Sequence, residues 1–291
     1  MRKILVVADK EKTQQRAFQH GLEIAKNTAA SIEFVGFVYA AGVDSSEILT
    51  DEEKRKIRNS YMDEKQKEMD DYLASVDLNG INVNTDVVWE KAFEQWVVAR
   101  CLQKSFDMVF KSGNRSESFL YTPSDWQLMR SCPEPIMIVG DSHWKDGGVV
   151  LAALDLGSSS EKNLTLNENI IRTTLKFAEA TNSKVHACYS MAISKALSRL
   201  DSVDPIAYEE KMKEKIDPLI RKILDDAGLD RSRLHIVSGN PASEICRISE
   251  AVAADVVVLG NKSSRSVRGR LMGNTAENVL HKISADVIVV K

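Results

Sequence analysis

The sequence predicts two α/β domains in tandem, each a parallel β-sheet with helices on both faces. Three observations carry that expectation. First, the chain is written twice: KILVVADKEKTQQRAFQHGLEIAKNTAASIEFVGFVY in one half answers VVLAALDLGSSSEKNLTLNENIIRTTLKFAEATNSKVHACY in the other. Second, short β-branched runs alternate with helical patterns, and parallel strands need such crossover helices. Third, several strands are apolar on consecutive residues, as expected where both faces of the sheet are covered. The repeat is about half the chain long, which means duplicated domains rather than a solenoid.

Each half opens with an apolar strand ending in an aspartate, Asp9 or Asp155, followed by a polar loop, an amphipathic helix and a second strand. FDMVFKSGN then answers ADVVVLGNK, and PEPIMIVG answers SADVIVVK at the close. In the second half the strands are VVLAALDL, KVHACYS, RLHIVSG, DVVVLG and DVIVVK, with helices starting near Thr165, Pro205, Pro241 and Thr275. Pro205 and Pro241 suit a first helical turn, where no N–H is needed. The first half carries an extra charged helix, TDEEKRKIRNSYMDEKQKEMDDYL, with Thr50 and Glu53 at capping-box spacing. Its charge pattern reads as a solvated face. Polar residues and paired glycines between Asp141 and Gly148 mark the seam, and the predicted domains are residues 1–144 and 145–291.

Composition narrows the function classes. Of the 291 residues 43% are hydrophobic and 28% charged, as in ordinary globular proteins, and a net charge of -3 supplies no basic field for nucleic acid. Cys101, Cys132, Cys188 and Cys246 form no C-x-x-C pair, and the five histidines show no metal spacing. No apolar run approaches the roughly 20 residues of a membrane span, and the opening MRKILVV is too short for a secretory leader. A cytoplasmic protein without direct nucleic-acid or membrane binding is the expectation. The G-x-S-x-G elbow and the P-loop are both missing from the sequence. Trp89, Trp96 and Trp126 fall in regular elements and read as packing residues, as does the pair Leu128-Met129.

The chemistry concentrates in GNKSSRSVRGRLMGNTAENVL, from Gly260 to Leu280. It lies at the carboxyl end of a strand, where open α/β sheets bind ligands. Glycines let a phosphate approach backbone N–H groups, and the following helix start favours an anion. Asn274 and Thr275 offer capping side chains, and Lys262, Arg265, Arg268 and Arg270 add positive charge. The same residues also suit a plain connecting loop.

This stretch resembles the universal stress protein signature G-x2-G-x9-G-(S/T/N), which cradles an ATP triphosphate. Gly260-Asn261-Lys262-Ser263 is followed by nine residues and then Gly273-Asn274-Thr275. Ser263 stands in place of the second glycine; if the position needs a left-handed backbone, roughly 1 kcal/mol of strain follows. The resemblance covers essentially the whole chain and its duplication. YTPSDWQLMRSCPEP and LMGNTAENVL make it most similar to tandem members of gamma-proteobacteria.

The resemblance implies two flavodoxin-like domains with five strands each, in the order 3-2-1-4-5. It also implies pairing of the two halves through their last strands as an intramolecular pseudo-dimer, with room for a further homodimer. It implies ATP, with or without Mg2+, in the second domain: Gly260, Ser263, Gly273, Asn274 and Thr275 along the phosphates, Asp155 near ribose and adenine, and Cys188 near the adenine. A turn or cap aspartate and a small core residue are the plainer readings of Asp155 and Cys188. In the first half Ser112 answers Gly260, Thr122 answers Gly273, and Pro123 replaces Asn274 and removes a donor, so that half is not expected to hold ATP in the same way. The implied role is a cytoplasmic stress response, including resistance to DNA damage, through nucleotide-dependent binding of unidentified protein partners rather than turnover. A nucleotide-independent scaffold and a slow ATPase are the alternatives.

Overall fold

The computed structural model describes residues 1–11, 14–113, 123–140, 144–191, 205–262, 264–266, 269–271 and 274–291; at 205–209, 223–227, 264–266, 269–271 and 274 it describes the backbone alone. The chain divides into two compact units, Met1–Asp141 and Ser142–Lys291.

The first unit runs β1 (Lys3–Val7), α1 (Arg16–Thr28), β2 (Ser31–Val38), α2 (Ala41–Asp44), α3 (Asp51–Ala74), β3 (Val83–Trp89), α4 (Phe93–Gln103), β4 (Met108–Ser112), α5 (Pro123–Ser131) and β5 (Ile136–Val139). Its strands are parallel and ordered β3-β2-β1-β4-β5. The second unit runs β6 (Val149–Leu154), α6 (Glu161–Ala180), β7 (Lys184–Met191), α7 (Pro205–Ala227), a 3-10 turn at Arg231–Arg233, β8 (Leu234–Ser238), α8 (Pro241–Ala251), β9 (Val256–Gly260), β10 (Ser264–Ser266), β11 (Gly269–Leu271), α9 (Asn274–Leu280) and β12 (Asp286–Val290). Here the parallel order is β8-β7-β6-β9-β12. Both orders are the 3-2-1-4-5 that the resemblance implies. Each central strand (β1, β4, β6, β9) is buried along nearly its whole length, which explains the unbroken apolar runs.

Two details refine the sequence reading. Helix α6 begins at Glu161, four residues before the expected start at Thr165. The stretch between β9 and α9 contains a short antiparallel hairpin, in which Ser264 faces Leu271 and Ser266 faces Gly269.

Helix α3 starts with the expected capping box: Thr50 Oγ1 accepts from the Glu53 N–H, and Glu53 Oε2 accepts from the Thr50 N–H at 2.8 Å. Its charges do not all face water, however. Lys65 and Met69 are buried, and a Cβ at Gly36 on β2 would lie 2.7 Å from Met69 Sδ and 3.2 Å from Lys65 Cγ. Glycine at that strand position lets the charged helix sit close to the sheet. Among the described residues no helix is long and apolar enough to cross a membrane.

Candidate functional site

The carboxyl ends of β6, β7 and β9 open onto a cavity of about 590 Å³, within the usual size of small-molecule sites. Aliphatic side chains from three layers wall it: Leu154 of β6, Leu166 and Ile170 of α6, Met191 of β7 and Ile245 of α8. Polar groups gather at the mouth, namely Asp155, Ser158, Lys262 and Thr275.

The turn after β6 is held by two asparagines of α6. Asn163 and Asn167 both donate to the carbonyl of Asp155, at 2.6 and 2.7 Å, and Asn167 Oδ1 accepts from the Asp155 N–H at 3.0 Å. Asn163 also donates to the carbonyl of Ser158 at 2.8 Å. Both asparagines are buried, so these bonds are made away from water and fix the backbone of Asp155 on both sides. With its backbone fixed, the Asp155 side chain is free to project: it is 46% exposed and pairs with the Lys262 ammonium. Its other oxygen accepts from the Gly157 N–H at 3.1 Å. The turn aspartate and the cavity-lining aspartate are thus one and the same residue.

Gly260, the last residue of β9, lines the same cavity for a reason the loop spacing does not show. A Cβ there would lie 2.8 Å from Leu166 Cδ2 and 3.0 Å from Ile170 Cδ1. The glycine is required by the packing of α6 as well as by any close approach of a ligand. Thr275, in the first turn of α9, is exposed and lines the cavity; Asn274 begins that helix. Ser263 and Gly273 lie outside the described residues. Cys188 is fully buried on β7, and that burial pushes its thiol up to about 12. The residues that line the cavity from this strand are Tyr189, Ser190 and Met191, just beyond it. Asn163, Asn167 and the aliphatic wall were not visible as site residues in the sequence. The available signal was polar Asn163 and Asn167 spaced i, i+4 on the face that continues as Leu166 and Ile170.

The first unit carries an equivalent cavity of about 560 Å³ at the ends of β1, β2 and β4. Register makes the comparison residue by residue. Ile4 pairs with Met108 as Val150 pairs with Val256, and Ser112 pairs with the last residue of β5 as Gly260 pairs with the last residue of β12. Asp9 therefore answers Asp155, Ser112 answers Gly260, and Lys111 answers Leu259. Ser112 Oγ donates to Asp9 Oδ2 at 2.8 Å and accepts from the Ala17 N–H at the start of α1. Burial raises the Asp9 carboxyl above the usual carboxylate range, against the lowering effects of the Ser112 bond and the Lys111 charge. Pro123 begins α5 as Asn274 begins α9. Thr122 lies outside the described residues.

Comparison with known proteins fits this duplicated architecture. The universal stress protein family matches residues 1–140 and again residues 149–291. The chain is 25% identical over 294 residues to universal stress protein E of Escherichia coli K12, covering 99% of this chain and 93% of that one. It is likewise 25% identical over 298 residues to the universal stress protein E homolog of Haemophilus influenzae, covering 99% and 96%. Among solved structures, the protein PA1789 from Pseudomonas aeruginosa PAO1, described as functionally unknown, superimposes with a TM-score of 0.74 at 22% identity, covering 100% of this chain and 92% of that one. With both halves matched, the chain belongs to the universal stress protein family as a tandem member.

Proposed function

We propose that the chain is a stress-response protein that binds ATP in its second domain and acts by nucleotide-dependent partner binding, not by turnover. The observation that carries this reading is the cavity at the carboxyl ends of β6, β7 and β9, with Asp155 at its mouth and aliphatic walls behind. The residues present fit an adenine nucleotide. A flat base finds apolar cover between Leu154, Met191 and Ile245, and Asp155 is placed to accept from ribose hydroxyls. Lys262 offers an ammonium to phosphate, and Gly260 leaves the end of β9 open to it. Among the described residues Asp155 is the only carboxylate lining the cavity, so Mg2+ would be held mainly by phosphate oxygens and water. A bound nucleotide would displace the Lys262–Asp155 pair and so present a different surface to a protein partner. Support of cells against DNA damage and other stress, in the cytoplasm, is the role this reading assigns.

Denaturing the purified chain and identifying released nucleotide by chromatography tests it. About one ATP per chain, with affinity reduced roughly tenfold in Asp155→Ala through loss of a hydrogen bond to a charged acceptor, is the expected result. No bound nucleotide, and no binding of added ATP at millimolar concentration, would leave a nucleotide-independent scaffold. Steady hydrolysis abolished by Asp155→Ala would make the protein an ATPase instead.

A further inference from the structure

The cavity of the first unit differs in chemistry from its counterpart, and the differences point to another ligand. Its walls are aromatic. Phe37 and Tyr39 at the end of β2, Tyr61 of α3 and Phe93 of α4 line it, where the second unit uses leucine, isoleucine and methionine. Tyr39 and Tyr61 are 37% and 46% exposed, two of the four large hydrophobic side chains that are exposed among the described residues. Both rings are held from behind by Trp89, at centroid distances of 5.7 and 6.0 Å. They therefore present fixed faces to the cavity.

Its polar lining is rich in lysine. Lys10, Lys65, Lys91 and Lys111 line the cavity. Asp9, Glu68 and Glu90 line it as well: Asp9 accepts from Ser112, Glu90 from the Ala92 N–H, and Glu68 pairs with Lys65. Lys65 gives protons to the Asp9 carbonyl and to Glu68; Lys111 gives one to the Ser112 carbonyl and forms an ion pair with Asp125. Each ammonium has three protons, so each keeps one without an acceptor among the described residues. Lys10 and Lys91 form no ion pair among those residues, and Lys91 Nζ stands 6.0 Å over the Tyr39 ring. A cavity with free cationic donors and aromatic faces is complementary to a flat anion.

We infer that the first unit binds a small planar aromatic carboxylate, its ring against Tyr39 and Tyr61 and its carboxylate toward Lys65 and Lys111. This site is independent of any nucleotide in the second unit. Gly36 lets α3 sit close to β2, and that helix supplies both Tyr61 and Lys65 to the site.

The probe is 2-naphthoate, titrated into the full chain while tryptophan emission is followed, since Trp89 touches both tyrosines. Saturable quenching with one site per chain is expected, unchanged by millimolar ATP and by Asp155→Ala. Lys65→Met keeps the stem that packs on Gly36, and Tyr61→Leu changes a half-exposed ring, so both variants should retain the native circular dichroism. Each should weaken binding about tenfold or more, the scale of one charge-assisted bond or one stacked ring in a partly desolvated site. The inference is overturned by the absence of saturable binding, by displacement with ATP, or by unchanged affinity in both folded variants. Decanoate binding more tightly than 2-naphthoate would equally overturn it, in favour of an aliphatic ligand. Loss of nucleotide binding with 2-naphthoate binding intact would count against the proposed function alone.

Discussion

The two halves build the same sheet edge and then furnish it differently. At three equivalent positions the second half has Asp155, Leu259 and Gly260, and the first has Asp9, Lys111 and Ser112. In the second half the strand end is apolar, the glycine accepts the side chains of α6, and the aspartate projects outward to Lys262. In the first half the serine turns the aspartate inward and ties it to α1, while a buried lysine pairs with Asp125. Duplicated backbones thus open a cavity at the same place in each half. The side chains at a few strand ends set its chemistry.

Replacing one half's solution with the other's is the sharpest way to break this comparison. Lys111→Leu installs the second half's residue but removes the ammonium beside the Asp125 carboxylate, which is fully buried. Breaking a buried pair from one side costs about 3–5 kcal/mol, so urea unfolding of the first domain should shift by that amount. Lys111→Leu combined with Asp125→Leu should recover most of it, because the apolar pair leaves no lone charge. A single variant costing under about 1 kcal/mol would mean that Asp125 finds water or another donor. The reciprocal change, Gly260→Ser, forces a Cβ against Leu166 and Ile170 and should cost the second domain about 1–3 kcal/mol. Adding Leu166→Ala should make the serine nearly free in that background, whereas additive costs would place the strain elsewhere.

Smaller effects sharpen the picture of helix α3, which is no insertion: it joins β2 to β3 as α7 joins β7 to β8. Thr50→Ala removes one side of its capping box and should lower stability by about 1 kcal/mol, with 2-naphthoate affinity falling in step if Lys65 depends on the helix end. Asp9→Asn tests the inward aspartate. Its folded pKa is raised, so its favourable contribution is complete below the unfolded value near 3.9 and is lost as pH rises through the folded value. The variant should therefore be at least as stable as the parent at neutral pH and lose that advantage in acid. Parallel stability curves for the two proteins across pH 3 to 7 would show that folding does not shift the Asp9 carboxyl.

Much of this organisation was legible in the sequence. The repeat, the parallel strands, the capping box at Thr50 and the equivalence of Ser112 with Gly260 all follow from local pattern, because strand register and helix starts are set by residues close in the chain. The candidate site was legible only in part. Asp155, Gly260 and Thr275 do meet at one cavity, but Cys188 is a buried strand residue with its neighbours Tyr189 to Met191 facing the space. Lys65 looked like one more charge on a solvated helix, because nothing in the spacing of α3 tells which lysine will face Gly36 across thirty positions of chain. Asn163 and Asn167 looked like helix-surface amides until the turn at Asp155 was seen to need their hydrogen bonds.

What the sequence alone determined was the fold class, the duplication, the strand order implied by the resemblance, and the carboxyl ends of the strands as the place where each half opens a cavity. These follow from periodicity and from short-range backbone chemistry, which are written along the chain. What only the tertiary structure decided was the character of each cavity: which aspartate projects and which is tied back, why Gly260 must be glycine, and how Lys65 and Tyr61 reach a site built from β1, β2 and β4. Those properties depend on contacts between residues far apart in sequence, where burial and hydrogen-bond satisfaction are settled by the packing of whole elements.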